Sequence, residues 1–123
     1  MGLLNTLITK VFSKQVEPSP SNNQLEQAVI VRFDYGIDGL GALHDLEEKL
    51  ELAITKKNVG EYDGHEIAMD YSDGFLYMYG PNAEILFQAV LPTLKETSFM
   101  KGATAKLRFG PAQEGVKEIE VEL

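Results

Sequence analysis

Residues 61–80 read EYDGHEIAMDYSDGFLYMYG, and this stretch decides the fold. It predicts two strands, Glu66–Tyr71 and Phe75–Tyr79, joined by Ser72-Asp73-Gly74. Asp-Gly between apolar and aromatic runs is a strong hairpin signal, because glycine takes positive φ without strain. The neighbouring elements must then pair with this ribbon or pack on it.

Upstream, residues 27–35 (QAVIVRFDY) form a nearly continuous β-branched and aromatic run, which predicts a central strand. Gly36 breaks it, and Asp38 is the expected N-cap of the following helix. From Leu40 to Lys57 the positions Leu40, Leu43, Leu46, Leu50, Ala53 and Ile54 share one helical face. Lys56 and Lys57 suit the negative end of that helix, and Asn58 suits a left-handed cap. Downstream, Gly80-Pro81 should start a second helix, with Ala83, Leu86, Phe87, Val90, Leu91 and Leu94 buried and a kink or break at Pro92. Residues 103–109 predict a fourth strand and residues 116–122 a last one, after a loop framed by Gly110-Pro111 and Gly115. In that last strand Ile119, Val121 and Leu123 alternate with Glu118, Glu120 and Glu122. Such an acidic row guards an edge against aggregation, or offers a rail to a basic partner.

Strand–helix–strand–strand–helix–strand with one added strand is the split βαβ order, so the expected fold is ferredoxin-like α+β. Right-handed crossovers place the first and third strands side by side, with both helices on one face. The other face is left without cover. Some of Phe33, Tyr35, Tyr71, Phe75, Tyr77 and Tyr79 should fall there, and an open aromatic face marks a contact surface. Tyr35-Gly36, Tyr79-Gly80-Pro81 and Phe109-Gly110-Pro111 are related strand exits.

Ahead of this domain, expected to span residues 25–123, Leu3, Leu4, Leu7, Ile8, Val11 and Phe12 predict an amphipathic helix within residues 1–14. Residues 15–24 (QVEPSPSNNQ) read as a linker. An interfacial membrane role for residues 3–14 is the sharper reading, but two lysines attract a bilayer only weakly. Docking on its own domain or on a second copy is the plainer one. Met1-Gly2 with Thr6 also fits a short myristoylation pattern, which matters only in a eukaryotic host.

The 123 residues carry a net charge of −8 and no cysteine. Every acidic residue but Glu17, and every basic one but Lys10 and Lys14, lies after residue 24, so the domain is slightly more acidic than the whole. Nucleic acid would need a basic footprint, so it is not an expected partner. Absence of cysteine excludes a thiol nucleophile, a disulfide scaffold and a cysteine-held cluster. No run approaches ~20 apolar residues, and a cytoplasmic location is expected.

Chemical signatures are sparse. His44 and Glu48 are four apart on the first helix, while His65 has Asp63, Glu66 and Asp70 nearby in sequence. The two histidines fall on different elements and share no ligand motif, so neither metal nor cofactor is expected. Asp34, at the end of a central strand beside Tyr35, is the best acid–base candidate, and a small isomerase or lyase would gather Asp34, Tyr35 and His65 in a cleft. The backbone N–H groups around Gly80-Pro81-Asn82 could hold an anion, but Glu84 opposes one.

The segments GEYDGHEI (Gly60–Ile67), DGFLYMYGPNAEILF (Asp73–Phe87) and LRFGP (Leu107–Pro111) resemble a small bacterial domain family of uncharacterised function. The resemblance covers Val29 to Leu123 and implies a ferredoxin-like fold and a bacterial, cytoplasmic origin. It implies no catalytic residues, and Asn82 stands where the pattern has aspartate. Small size, acidity, the lack of catalytic motifs and an exposed acidic strand make the expected function a non-catalytic interaction module, in its most concrete form an immunity-type protein that neutralises a basic partner. Its candidate binding residues are Tyr35, Asp63, His65, Glu66, Tyr71, Tyr77, Tyr79, Glu118, Glu120 and Glu122. A small-molecule regulatory domain that dimerises through its sheet is the alternative.

Overall fold

The computed structural model describes residues 26–123. The helix expected within residues 1–14 and the linker at 15–24 lie outside the described residues. The elements are β1 (Gln27–Asp34), α1 (Gly41–Lys57), β2 (Glu61–Ile67), β3 (Asp73–Gly80), α2 (Ala83–Glu96), a 3-10 turn (Ser98–Met100), β4 (Thr104–Arg108) and β5 (Glu118–Glu122). They build one five-stranded antiparallel sheet in the order β2-β3-β1-β4-β5. The first and third strands are neighbours, as right-handed crossovers require.

Alternation along β1 sorts the sheet faces. Val29, Val31 and Phe33 are fully buried, and across the ladders they meet Met78, Leu76 and Gly74 on β3, and Val29 and Val31 meet Leu107 and Ala105 on β4. Leu43, Leu46, Leu50 and Ile54 of α1, with Leu86, Val90 and Leu94 of α2, close the same core. Burial of such aliphatic side chains contributes roughly 1.5–3 kcal/mol each before chain entropy is set against it.

Several local expectations are corrected. The β2–β3 turn is not Ser72-Asp73-Gly74, because Asp73 and Gly74 already pair in β3. The reversal falls over Ala68–Ser72, where Tyr71 takes φ +63 and its N–H donates to the Ala68 carbonyl at 2.8 Å. Gly74 is needed for space instead: a Cβ there would collide with the Glu66 carbonyl oxygen and lie 2.9 Å from Ile67 Cδ1. Asp38 does not cap α1, whose N-cap is Leu40 without a side-chain bond. At the other end Asn58 takes the left-handed cap (φ 54, ψ 50), following Lys56 and Lys57 in the last turn. Helix α2 begins after Asn82, whose Oδ1 accepts from the Ile85 N–H at 3.0 Å, so Pro81 precedes the cap. Pro92 does not divide α2, which continues to Glu96. The forfeited bond is the one to the carbonyl of Gln88, a residue on the exposed side of the helix.

Candidate functional site

The open sheet face is the first candidate, and the ladder registers fix what it presents. Strand β3 places Phe75, Tyr77 and Tyr79 there, with Phe75 and Tyr77 stacked at 6.2 Å between centroids. Beside them on β1 stand Arg32, Ile30 and Ala28, in that order. Strand β4 contributes Thr104, Lys106 and Arg108, opposite those three. The flanks are acidic: Glu61 and Glu66 on β2, and Glu118, Glu120 and Glu122 on β5. The face is thus striped acidic, aromatic, mixed, basic, acidic. Phe75 is 38% exposed, Tyr77 and Tyr79 are half-buried, and no described element covers them.

Neighbouring stripes neutralise one another in part. The Tyr77 hydroxyl donates to Glu66 Oε1 at 2.6 Å, and this bond pushes its pKa up to about 12. Tyr79 is raised by burial and by the Asp63 charge, with Arg108 opposing. Lys106 Nζ lies 3.8 Å from Glu118. Asp34 and Asp73 face each other directly, a repulsive placement that Arg32 bridges at 3.1 and 2.8 Å. Arg108 is tied down, with Nε donating to the Gly110 carbonyl at 2.8 Å.

Of the six aromatics expected to supply this face in part, Phe75, Tyr77 and Tyr79 lie there and the other three do not. Phe33 and Tyr35 face the helices, in edge contact with each other and grouped with Phe99. The Tyr35 hydroxyl donates to the Gly39 carbonyl at 2.7 Å. Tyr71 sits in the β2–β3 turn, partly buried against the core.

A second cluster lies on the helix side, between α1 and β2. The Tyr62 hydroxyl donates to Glu47 Oε2 at 2.6 Å, and His65 Nδ1 lies 2.8 Å from the same oxygen. The His44 ring is 6.2 Å from that of His65. Burial, then the Glu47 bond and charge, raise the Tyr62 phenol far above its ordinary value. The carboxylate that engages histidine is therefore Glu47, not Glu48. A β-bulge at Asp63 makes this possible, since the register shifts between Tyr62 and Gly64 and Gly64 takes φ +109. Without that extra residue, side chains three apart would point to opposite faces. Sequence reasoning missed Glu47 and Tyr62 for this reason.

The grouping of His65 with Asp63 and Glu66 dissolves accordingly. Glu66 is on the open face, His65 faces α1, and Asp63 sits in the bulge, where partial desolvation raises its carboxyl. Asp70 instead accepts from the Ser72 N–H at 3.0 Å, and hydrogen bonding from Ser72, its side chain first and then this N–H, holds its carboxyl below the usual range. Asp34 is on the open face and salt-bridged to Arg32, whereas Tyr35 and His65 are on the helix side with other partners. The three do not form a cleft. Among the described residues no group of three or more His, Cys, Asp or Glu is placed to hold a metal ion.

Between α2 and β5 runs an open groove of about 320 Å³, lined by Phe87, Leu107, Phe109, Ile119 and Val121. Lys117 stands at its rim, 5.5 Å over the Phe109 ring. None of the expected binding residues lines it.

Fold and site together define an α+β domain of five antiparallel strands and two helices, with one sheet face left uncovered by the described residues. No protein-family model matches the chain, and no curated protein or solved structure is similar enough to count as a relative. No helix among the described residues is long and apolar enough to cross a membrane.

Proposed function

We propose that this is a ferredoxin-like interaction module that acts by protein contact through its open sheet face, without catalysis. The observation that carries the reading is the strip Phe75–Tyr77–Tyr79, held outward on a central strand that the helices cover only from behind. Aromatic rings on a rigid strand offer large contact area at low entropy cost, and charged rows around them supply orientation. The strand order supports the ferredoxin-like assignment, and the aromatic-Gly-Pro exits support the proposed bacterial family.

An immunity-type version, with a basic partner, rests on the net charge of −8 and on Glu118, Glu120 and Glu122 along the edge strand. Lys106 offsets that row at Glu118, so the aromatic strip is the stronger support.

Photo-crosslinking tests the reading. Benzoylphenylalanine replaces Phe75 in the full chain, and in a control replaces Leu52, which is 70% exposed on α1. A discrete adduct to a polypeptide from position 75, weakened by Tyr77→Asp in the same chain and missing from position 52, is the expected result. Equal labelling from both positions, or none from 75, would overturn it.

A further inference from the structure

Resting on the reading of the open face as a contact surface, we infer that its partner is a second copy of this chain. The stripes are self-complementary about one two-fold axis, parallel to the strands and running between β1 and β3. Turning the face about that axis lays β3 over β1 of the second copy and β2 over its β4. Because the axis follows the strands, each cross-strand row meets itself.

In the first row Tyr79 falls over Ala28, and Glu61 over Arg108. In the second Tyr77 falls over Ile30, and Gly64 leaves space for the Lys106 stem. In the third Phe75 falls over the Arg32 guanidinium, a planar cation suited to an aromatic face. Large side chains meet small ones in the first two rows, and Glu61 meets Arg108; in a fourth row Asp73 falls over Asp34, beside the Arg32 guanidinium groups that already bridge those carboxylates within each copy. The acidic row of β5 overhangs the edge and stays in water. Packed sheets rotate by about 30° relative to each other, which spreads the outer pairs and keeps the central pair of Tyr77 and Ile30 together.

Other axes do worse. An axis across the strands puts Lys106 and Arg108 on their own copies, and the glutamates on glutamates. An axis over β1 sets the β2 glutamates against those of β5. An axis over β3 overlaps three strands instead of four and leaves Arg108 without a carboxylate from the second copy. An isologous interface needs one patch complementary to itself, and this register supplies it.

Sedimentation equilibrium of the full chain decides the matter. The expected result is a species of twice 13.6 kDa at micromolar concentration. Tyr77→Asp should give monomer, and Glu61→Arg should weaken association at least tenfold. Adding Arg108→Glu to Glu61→Arg should restore it, with circular dichroism confirming that each variant is folded. Should the Arg108 change unfold the chain, the first two variants decide alone. A monomer at every concentration, or a dimer indifferent to these changes, overturns the inference. If the chain is monomeric yet crosslinks from position 75 to a different protein, self-pairing fails while the contact function stands. A dimer that survives Tyr77→Asp, with no crosslink from 75, sinks both.

Discussion

The Tyr77 hydroxyl and the Glu66 carboxylate form a 2.6 Å hydrogen bond across the exposed face of the β2–β3 ribbon. The bond holds the phenol neutral, pushing its pKa up to about 12 from an ordinary 10.0. A folded-state value above the unfolded one means that the stabilisation is complete below pH 10 and is lost as pH rises towards 12. Denaturant unfolding should therefore show stability falling across that window. Glu66→Ala should flatten this part of the fall, and phenolate absorbance should show one tyrosine shifted back towards its ordinary range.

Tyr62 and His65 share one oxygen of Glu47. Tyr62→Phe removes a donor to a carboxylate that is mostly withdrawn from water. The expected cost is about 1.5 kcal/mol in denaturant unfolding, in the range for hydrogen bonds to charged groups. Glu47→Ala should cost at least as much, because it strands both partners. Equal stability of wild type and Tyr62→Phe would mean that the bond is not formed in solution.

Gly74 and Gly64 are both strand glycines, required for different reasons. Gly74→Ala forces a Cβ into the Glu66 carbonyl oxygen, a backbone atom that cannot move aside without breaking the ladder. An expected loss of about 3 kcal/mol follows from overpacking. At Gly64 a Cβ meets open space, and only the positive φ of the bulge opposes it, so Gly64→Ala should cost about 1–2 kcal/mol. Thermal unfolding of the two variants gives the order directly, and the reverse order would contradict the register.

Asn82 is accounted for as a cap. Asn82→Ala should destabilise by about 1 kcal/mol, whereas Asn82→Asp should stay within a few tenths of wild type, since either side chain can accept from the Ile85 N–H. A large gain in stability of the aspartate variant on adding a divalent cation would point to a role beyond capping.

Much of this architecture was legible because burial imposes period. The two apolar helix faces and the alternation of Ile119 and Val121 with three glutamates follow from side-chain patterns alone. Less legible were the places where one residue breaks the period. The bulge at Asp63 turns Tyr62 and His65 to the same side, and no pattern of period two announces it. Asp73-Gly74 resembled a turn because glycine serves close packing as readily as positive φ, and composition does not separate the two uses. Phe33 was open to either face until the register with β3 assigned it inward, and Tyr35, beyond the end of that ladder, is assigned by its burial. The charge stripes lay beyond reach for the same reason, since each row joins residues from strands far apart in the chain.

Hydroxyl-radical footprinting of the full chain, read at Phe75 and Tyr77 over a dilution series, tests the role of the open face most directly. Protection of both residues at high concentration should be lost on dilution, while exposed Leu52 reacts equally throughout. Protection that does not change with dilution would mean that the chain covers this face itself. Full reactivity at every concentration and with host lysate present would mean that nothing binds there.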